Sequence, residues 1–563
     1  MNAADWIVHP PRAEAEALAA ALDIPPAIAR VLVNRKILTE EAAREFLFGG
    51  LAGLHDPYLM TGMDKAVARV EAAIARREKI LIFGDYDVDG VLSTVMLRKA
   101  LATLGAEVDH FIPERLTDGY GIKDEHIAIP VERGAALVIS VDCGVKSVGF
   151  AARARERGVD VIITDHHRPG DAIPEAVAVL DPVVPGSGYP DAGLAGVGVV
   201  FKLIQALLQR AGKDAGLPHY LKLVSIGTVA DVAELRGENR IFVKRGLEGL
   251  RDVANPGLRS LIEACGLGHR KISEGDLGFR IGPRINAAGR MGQTELAVRL
   301  FFSDDPAETR GLVEKLEELN GQRQRTEERI FVEARDRIEA RELDRKYKCL
   351  VLGSPEWHRG VIGIVASKLK DRFNRPVVLF HYDNGKASGS GRSIPEVPLI
   401  DLLEDCRRHF LSYGGHRLAV GCTLPTDGMA AFKETLNALA EARISEDNLR
   451  RKIRLDGPLD LGEIDERFLG AYALLVPFGV GNPKPLFMAD GVEVVSEPQV
   501  LKGKHLKFLA RQNGRVFEAL GWGKADWRHV LRRGVRISLA FAVTTSTYRG
   551  EERVNLTVED LKA

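Results

Sequence analysis

From about residue 79 onward, short apolar runs alternate with amphipathic stretches along the chain. The runs KILIFGD, EVDHFIP, AALVISVD, VDVIITD and AVAVLDP are rich in β-branched residues, and helical patterns such as VKSVGFAARARERG lie between them. Strands separated by helices pair in parallel through right-handed crossovers. The alternation therefore predicts an α/β fold with a doubly wound parallel sheet, in which ligands bind beyond the carboxyl ends of the strands.

Several of these predicted strands end in an aspartate. Asp85 follows KILIFG, Asp142 follows LVISV and Asp165 follows VIIT. One acid at a strand end is a common turn residue. Three at the same edge of a sheet converge, and crowded carboxylates repel one another unless a cation lies among them. The pattern therefore indicates a metal site at this edge.

The segment GDYDVDG resembles the start of an EF-hand loop, because Asp85, Asp87 and Asp89 alternate before a glycine. An EF-hand loop needs a bidentate glutamate at its twelfth position, and counting from Asp85 that position is Met96. The preceding apolar run is also typical of a buried strand rather than of an entering amphipathic helix. An EF-hand is therefore excluded.

A second motif, TDHH, places Asp165, His166 and His167 in succession at a strand end. A single histidine is more often a core or surface residue than a ligand, but two adjacent histidines in a turn can contact different groups around one site. Imidazole together with carboxylate suits Mn²⁺, Zn²⁺ or Fe, whereas a purely carboxylate set suits Mg²⁺. Asp231 in SIGTVADVAEL is a further candidate, and its assignment depends on the other motifs.

Length, charge and cysteine content limit the remaining possibilities. At 563 residues the chain is expected to form several domains. Lys+Arg and Asp+Glu each total 78, so any nucleic-acid-binding surface must be local. The five cysteines are scattered without a CxxC pair, which favours a reducing cytoplasm. Because no apolar run approaches the roughly 20 residues that span a bilayer, we expect no membrane segment.

Composition also predicts the domain organisation. Residues 303–345 are rich in strong helix formers and predict a long connecting helix, with a coiled coil as the alternative. Strand character resumes in KCLVLGS and PVVLFHYDNGKASGSGRS, which predicts a smaller α/β domain at 346–445 with a hairpin turn at DNG. Many short β-like runs predict a small β-barrel at 452–563. Residues 1–55 are assigned to an N-terminal helical segment, and 56–302 to the first α/β domain.

The predicted barrel has a local basic surplus. Residues 501–563 carry 13 Lys/Arg against 6 Asp/Glu, with Phe508, Trp522, Trp527 and Tyr548 among them. Basic grooves with aromatic platforms hold single nucleic-acid strands on OB-folds. Aromatic residues of a barrel are also common core residues, and for Phe508 the two interpretations stand equal.

The motifs GDYDVDG, SVDCG, TDHH and GTVADVAEL occur in the order and approximate spacing of the DHH phosphoesterase superfamily. GPRINAAGRMG, SGSGRS, YGGHRLAVGCTL and PFGVGNPKPLF resemble its RecJ branch, the 5′→3′ single-strand-specific exonucleases, so the resemblance covers almost the whole chain. It implies a DHH catalytic domain, a long helix, a DHH-associated domain and an OB-fold. Other DHH enzymes begin with H-x-x-x-D-x-D, and Phe83 in place of that histidine argues against a pyrophosphatase or nanoRNase.

The resemblance also implies roles for the residues at its first four motifs. It implies two divalent ions, Mn²⁺ or Mg²⁺, with Asp142 as the ligand that bridges them. Asp85 is either a further metal ligand or a hydrogen-bond acceptor for a residue that binds the metal. His167 contacts the scissile phosphate or the leaving oxygen, and Asp165 orients a histidine. The implied metal ligands are Asp87, Asp89, Asp142, His166 and Asp231.

Residues of the second half are candidates for a 5′-phosphate pocket. Forked guanidinium groups bind phosphate bidentately, and glycines let backbone N–H groups approach an anion. A glycine-rich turn alone is weak evidence, so this assignment also depends on the family resemblance. The candidates are Arg290, Ser390, Arg392, Gly415 and His416.

Together with the predicted metal site, the resemblance implies a metal-dependent exonuclease that degrades single-stranded DNA 5′→3′ to 5′-mononucleotides in recombination and repair. Two alternatives remain open: a DHH phosphodiesterase acting on short RNA or cyclic dinucleotides, and a catalytically inactive scaffold. The resemblance further implies a single-strand-binding protein and a RecQ-type helicase as partners. A monomer is expected.

Overall fold

The chain forms two units, each with its own internal contacts. One unit, called the sheet unit, comprises Asp56–Asp231 and Gly246–Arg450, and the other, called the barrel unit, comprises Met1–His55, Val232–Arg245 and Arg451–Ala563. The structure is a computed structural model, in which residues 546–548 and 551–552 are described by their backbone alone. It describes residues 4–115, 118–119, 121–548 and 551–562.

Five parallel strands form the first sheet of the sheet unit, and each lies in one of the predicted apolar runs. Their order is β2-β1-β3-β4-β5. The strand order reverses between β1 and β3, where sheets of this kind open a crevice at their carboxyl edge. The predicted doubly wound α/β fold is confirmed. The strands are β1 (Ile80–Phe83), β2 (Val108–Phe111), β3 (Leu137–Val141), β4 (Asp160–Thr164) and β5 (Ala178–Leu180).

Helices connect these strands and pack on both faces of the sheet. Leu81 and Phe83 of β1 share a core with Phe150 of α4 on one face. On the other face α2 packs against α5 and α6, and all of its first ten residues are buried. The helices are α1 (Met63–Ala75), α2 (Val88–Thr103), α3 (Ala128–Glu132), α4 (Val148–Glu156), α5 (Gly196–Arg210) and α6 (Leu221–Ala230).

A helical segment leads from the first sheet to a second one. Its longest helix, α10, begins after Asp305, whose carboxylate accepts the N–H of Ala307 at 2.8 Å. At 1.5 Å per residue α10 is about 52 Å long, and it packs first against α7, α8 and α9 and then against α11. The segment contains α7 (Pro256–Ala264), a π-helical turn (Leu277–Ile281), α8 (Gly282–Arg290), α9 (Thr294–Phe302) and α10 (Pro306–Ala340). The helix α11 (Ile362–Phe373) comes later in the chain and packs on α10.

The second sheet is mixed, with the order β9-β10-β8-β7-β6 and one parallel pair, β6 with β7. Asn384 and Gly385, with φ of 47° and 72°, form the two-residue loop between β7 and β8. This is the hairpin turn predicted from DNG. Helices α12 (Leu399–Asp405) and α13 (Met429–Arg443) complete the region. The strands are β6 (Leu350–Ser354), β7 (Val377–Asp383), β8 (Lys386–Arg392), β9 (Ser412–His416) and β10 (Ala419–Pro425).

The barrel unit contains a closed five-stranded barrel, as the short β-like runs predicted. The first and last strands of the barrel are joined where Glu493 pairs with Arg511 and Val494 with Ala510. Closure removes the exposed edges of the sheet, and the barrel is consistent with an OB-fold. In spatial order the strands are Phe487–Val494, Arg536–Tyr548, Glu551–Lys562, Arg515–Gly521 and His505–Gln512.

The N-terminal residues contribute a strand that the sequence did not predict. Asp5–Val8 pairs in parallel with Lys452–Leu455, just before the barrel. Three helices follow it, Ala13–Leu22, Pro26–Asn34 and Glu40–Phe48. Residues of these helices share one hydrophobic core with the barrel strands. The partner of the first strand is so distant in sequence that no local pattern identifies the pairing.

All five cysteines are free and buried, so none takes part in a disulfide. Three of them, Cys349, Cys406 and Cys422, belong to the core of the second sheet. No helix in the described part of the chain has both the length and the apolar character of a membrane span.

The aromatic residues of the barrel separate into core and surface. Phe508 is 1% exposed and Trp527 is buried, and both belong to the hydrophobic core of the barrel unit. Trp522 is 57% exposed. The side chain of Tyr548 lies outside the described residues. Of the two interpretations of Phe508, the structure therefore supports the core residue.

We expect Phe508→Ala to lower the free energy of unfolding by about 3–5 kcal/mol, because it leaves a cavity in a close-packed core. Trp522→Ala is the control and should change it by less than about 0.5 kcal/mol, since it alters an exposed side chain. Urea titration of the full chain measures both. Equal destabilisation by the two variants would contradict this assignment of core and surface.

Candidate metal centre and phosphate pocket

Buried aspartates follow four strands of the first sheet at its carboxyl edge. Asp85 follows β1, Asp142 follows β3, Asp165 follows β4 and Asp181 follows β5, and all four are buried. Because the strand order reverses between β1 and β3, Asp85 and Asp142 lie at the crevice where ligands bind in such sheets. The structure thus brings the predicted strand-end acids together.

Two helices begin at the same edge. Asp87 is the N-cap of α2, and its carboxylate accepts the N–H groups of Asp89 at 2.9 Å and Gly90 at 3.1 Å. The Asp89 carboxylate accepts the N–H groups of Gly196 at 2.8 Å and Val197 at 2.6 Å, at the first turn of α5. The positive ends of both helices therefore stabilise negative charge in this cluster.

The backbone around Asp142 fixes its carboxylate in place. Asp142 has a φ of 61°, in the left-handed region that aspartate tolerates better than most residues. Its N–H donates to the carbonyl oxygen of Thr164 at 2.9 Å. A Cβ at Gly196 would lie 2.7 Å from Asp142 Oδ1, so α5 approaches this closely only because residue 196 is a glycine. Neighbouring strand and helix together determine where the carboxylate lies.

His166 lies among three of the acids. Its Nε2 is 3.1 Å from Asp142 Oδ1 and 4.0 Å from Asp89 Oδ2, and its Nδ1 is 4.0 Å from Asp231 Oδ2. Asp85 Oδ1, Asp142 Oδ1 and His166 Nε2 are buried and make no hydrogen bond among the described residues, although the last two atoms approach each other at ion-pair distance. Such atoms are rare in proteins and need an explanation. A bound cation supplies one, because all three are metal-ligating atoms.

Three overlapping groups offer ligand atoms that lie within 4.8 Å of one another. Asp142 and His166 each belong to two of them, and Asp142, as a carboxylate, is the candidate for a ligand that two cations would share. The mixture of carboxylate and imidazole suits Mn²⁺, and its carboxylate-only part suits Mg²⁺. The groups are Asp89 with His166 and Asp231, Asp85 with Asp87 and Asp142, and Asp142 with His166 and His167.

The electrostatics of the cluster also favour a cation. Burial, followed by repulsion from neighbouring carboxylates, raises the pKa values of Asp85, Asp142 and Asp231 well above the ordinary range. Burial also raises the pKa of Asp89 to about 6, although the nearby His166 opposes this shift. Burial lowers the pKa of His166, but the surrounding carboxylates outweigh this effect and raise that pKa overall. The cluster concentrates more negative charge than its own cationic groups neutralise.

Asp165 is used differently from the other acids. Its Oδ1 accepts the N–H groups of His166 at 2.8 Å and His167 at 3.1 Å, and its Oδ2 accepts the N–H of Val145 at 2.9 Å. Oδ1 also lies 2.8 Å from His167 Nδ1. Burial raises the pKa of Asp165, but these hydrogen bonds hold it below its ordinary value. The carboxylate therefore stays charged and orients the His167 ring through Nδ1.

Three arginines converge beside the acids. Arg290, at the end of α8, donates from Nη1 to the carbonyl oxygen of Gly360 at 2.9 Å. Arg392 donates from Nη1 to Ser390 Oγ at 3.2 Å, and Arg115 lies 5.0 Å above the ring of Tyr86. Burial, followed by repulsion from Arg115, lowers the pKa of Arg290 to about 10 and also lowers that of Arg392. Crowded guanidinium groups favour a bound anion.

The remaining two candidates lie in the hairpin of β9 and β10. Gly415 has a φ of 137°, and a side chain there would collide with the backbone of Ala419. Burial lowers the pKa of His416, and the charges of His167, Arg168 and Lys146 lower it further. His416 therefore lies near His167, whereas Arg290, Ser390 and Arg392 form the arginine cluster with Arg115.

Sequence reasoning missed two residues of this edge, Arg115 and Asp181. Both follow strands, in FIPERL and AVAVLDP, so the strand-end argument that found Asp85 and Asp142 also applies to them. Burial raises the pKa of Asp181 to about 7. Its Oδ1 accepts the N–H of Val183 at 2.9 Å, and its Oδ2 has no hydrogen-bond partner within the described ranges.

Three family domains match the chain. Residues 79–228 match the DHH family, N-terminal domain, residues 346–442 match the DHHA1 domain, and residues 455–560 match the RecJ OB domain. The first two contain the two sheets of the sheet unit, and the third contains the barrel. The DHH match includes the acids that follow the strands of the first sheet.

Curated relatives align with nearly the whole chain. The single-stranded-DNA-specific exonuclease RecJ of Bacillus subtilis is 36% identical over 557 residues, which covers 98% of this chain and 70% of that protein. The protein of the same name from Dickeya dadantii is 33% identical over 596 residues and is covered completely, as is this chain.

Solved structures extend the similarity to the fold. RecJ from Thermus thermophilus in complex with Mn²⁺ has a TM-score of 0.84 and 34% identity, covering 99% of this chain and 79% of that chain. Its complex with Mg²⁺ has a TM-score of 0.78 and 32% identity, covering 99% and 78%. The carboxylate and imidazole cluster of the present chain fits both cations.

We expect Asp142→Asn to raise the unfolding temperature in EDTA, because it removes one charge from a repulsive buried cluster. The same change should abolish the increase in unfolding temperature that Mn²⁺ gives the wild-type chain. Thermal unfolding with and without Mn²⁺ measures both effects. The exposed Asp214 provides the control, and Asp214→Asn should change neither. A wild-type chain that Mn²⁺ does not stabilise would contradict the metal centre.

Proposed function

The chain belongs to the RecJ family of single-stranded-DNA-specific exonucleases, and we propose on this basis that it degrades single-stranded DNA from the 5′ end to 5′-mononucleotides. It is a metal-dependent single-stranded-DNA exonuclease of the DHH type. A phosphodiesterase for short RNA or cyclic dinucleotides is not favoured, because the similarity to the exonucleases covers all three domains. An inactive scaffold is not supported either, since every implied metal ligand is present at the carboxyl edge.

The observation that carries the proposal is the crowding of buried metal-ligating atoms next to a cluster of arginines. Asp89, His166 and Asp231 would hold one cation and Asp85 and Asp87 a second, and Asp142 would be shared between them. When bound, the cations lower the pKa of an attacking water and neutralise the charge that develops on the phosphoryl group. The chain's own contribution is to hold the ligands, because strand ends and helix N-termini leave them little freedom to move apart.

His167 is proposed to contact the scissile phosphate. Asp165 holds its Nδ1 at 2.8 Å, so the ring directs Nε2 away from that carboxylate. The charged Asp165 orients the ring, and Nε2 is the atom that we assign to the contact with an oxygen of the scissile phosphate. His416, close to His167, adds a second polar contact on the same side. Both residues act on the substrate without forming a covalent bond to it.

The direction of digestion is proposed to come from the arginine cluster. A terminal 5′-phosphate carries one more charge than an internal phosphodiester, and forked guanidinium groups exploit that difference. Arg115, Arg290 and Arg392 therefore select a strand end, with Ser390 held against Arg392. Hydrolysis of the first phosphodiester at its 3′-oxygen releases a 5′-mononucleotide and leaves a new 5′-phosphate, which suits the same pocket in the next cycle.

The barrel is proposed to bind the single strand and to contribute little to the chemical step. Trp522 presents an exposed ring that lies 4.8 Å from the ring of His505, and Lys502, Lys504 and Lys524 are close in sequence. Exposed aromatic rings among basic residues are how OB-folds stack bases and follow a nucleic-acid backbone.

Other parts of the biological setting are proposed from the family alone. We propose a cytoplasmic enzyme of recombination and repair, acting as a monomer together with a single-strand-binding protein and a RecQ-type helicase. Five free, buried cysteines agree with a reducing compartment.

We expect Arg392→Ala and Arg115→Ala to slow digestion of 5′-phosphorylated strands far more than of 5′-hydroxyl strands. Each removes a charge-assisted contact of about 1.5–3 kcal/mol, which is about ten- to a hundredfold in affinity. The measurement is the ratio of kcat/KM on the two substrates.

The exposed Arg310 provides a matched control, and Arg310→Ala should leave that ratio unchanged. If Arg392→Ala lowers both rates equally, Arg392 is a general backbone contact and the account of polarity is wrong.

We expect Trp522→Ala to weaken single-strand binding about five- to a hundredfold, because a stacked base contributes about 1–3 kcal/mol. Fluorescence anisotropy with labelled oligonucleotides in EDTA gives the dissociation constant without turnover. Hydrolysis at saturating substrate should persist. Phe48→Ala, at an exposed phenylalanine of the same unit, is the control. Equal affinities for Trp522→Ala and wild type would exclude Trp522 as a stacking residue.

A further inference from the structure

Phe279 is the most exposed of the large apolar side chains in the described part of the chain. It is 86% exposed, whereas the neighbouring Leu277 and Ile281 are completely buried. Single exposed apolar residues are common on protein surfaces, so exposure alone does not indicate a role. The position of Phe279 relative to the metal centre does.

Phe279 lies in the π-helical turn that packs against the end of α6. A Cβ at Gly278 would lie 3.5 Å from Val229 Cγ1, and one at Gly282 would lie 3.4 Å from Ala230 Cβ. The next residue along α6 is Asp231, which is assigned to the metal centre. The turn that carries Phe279 is therefore packed directly beside a metal ligand. π-Helical turns are rare and occur frequently at functional sites.

The helix that follows this turn connects Phe279 to the arginine cluster. Asn286 of α8 accepts the N–H of Val88 with Oδ1 at 3.3 Å, which places the middle of α8 beside the start of α2. A Cβ at Gly289 would collide with the carbonyl oxygen of Tyr86, and Arg290 ends the helix. Phe279 and Arg290 are thus about 16 Å apart along one rigid element, and the carboxylates lie beside its length.

We propose that Phe279 stacks on a base of the single strand, on the 3′ side of the scissile phosphate. A strand with its 5′-phosphate at Arg290 and its first phosphodiester at the carboxylates continues along α8 toward the turn that carries Phe279. The ring stacks on the base that arrives there and keeps the strand in register with the metal centre. This inference rests on the proposed 5′-phosphate pocket, which fixes the direction of the strand.

Stacking also suits an enzyme that removes any nucleotide. Every base has a π-face, so a stacking contact holds the strand without selecting its sequence. The contact lies away from the bond that is cleaved and is made equally before and during the reaction. Its loss therefore raises KM and leaves kcat little changed.

The test uses 5′-phosphorylated single strands that each carry one abasic nucleotide, at successive positions from the 5′ end. For the wild-type enzyme we expect one position near the 5′ end at which the missing base raises KM about five- to a hundredfold. Phe279→Ala should raise KM for the intact strand by a similar factor. At that one position the missing base should then have no additional effect, because its partner is already absent.

Two variants separate stacking from a structural role. Phe279→Trp should retain the abasic profile of the wild type, and Phe48→Ala, at an exposed phenylalanine of the barrel unit, should not alter it. An abasic profile that is the same in Phe279→Ala and wild type overturns the inference. This holds also if the variant changes the oligomeric state, because Phe279 is then a contact between protein chains.

The preference for a 5′-phosphate, measured on the same enzyme preparations, distinguishes the two proposals. If Phe279→Ala keeps both the preference for a 5′-phosphate and the wild-type abasic profile, the stacking proposal is refuted and the arginine pocket is not. The absence of any 5′-phosphate preference in the wild type refutes the arginine pocket on which the strand direction depends.

Discussion

Repulsion among buried carboxylates is the constraint around which the sheet unit is organised. Asp85, Asp89 and Asp142 cannot move apart, because each is attached to a strand end or to the first turn of a buried helix. Two helix N-termini and one histidine offset part of the repulsion. The rest persists in the metal-free chain and disappears when cations bind. The repulsion therefore lowers the stability of the metal-free fold, and its relief when metal binds increases the affinity of the site for metal.

The sheet unit also brings opposite charges together on neighbouring elements. The acids belong to the first sheet, whereas Ser390 and Arg392 belong to the second, and Arg290 ends the helix between them. A nucleic-acid strand alternates a charged backbone with flat bases, and in the arrangement proposed above the metal-ligating acids and the guanidinium groups would meet the backbone and the exposed Phe279 ring would meet a base. Because these groups lie on different secondary-structure elements, the site exists only when both sheets and the connecting helices are folded.

Local patterns predicted the parts of the site that a single segment determines. The acids after β1, β3 and β4 were predictable because β-branched runs identify the strands and parallel strands end at one edge. Arg115 and Asp181 obey the same rule, but charged residues near strand ends are too common to single them out. Whether His416 lies with the arginines or with His167 depends on how one hairpin packs, and no sequence pattern determines that. Which of Phe508 and Trp522 is buried likewise depends on how the barrel packs, so no sequence pattern distinguishes them.

The pairing of Asp5–Val8 with Lys452–Leu455 makes the order of synthesis matter. The first helices of the chain share their hydrophobic core with barrel strands that the ribosome adds about 450 residues later. At about 5–20 residues per second, that interval lasts on the order of half a minute to a minute and a half. During this time the apolar faces of the first helices lack their native partner, while the intervening sheets can already form. The nascent chain is therefore most exposed to aggregation, and most dependent on chaperones, at the helices between residues 13 and 48, whose partner strands are made much later.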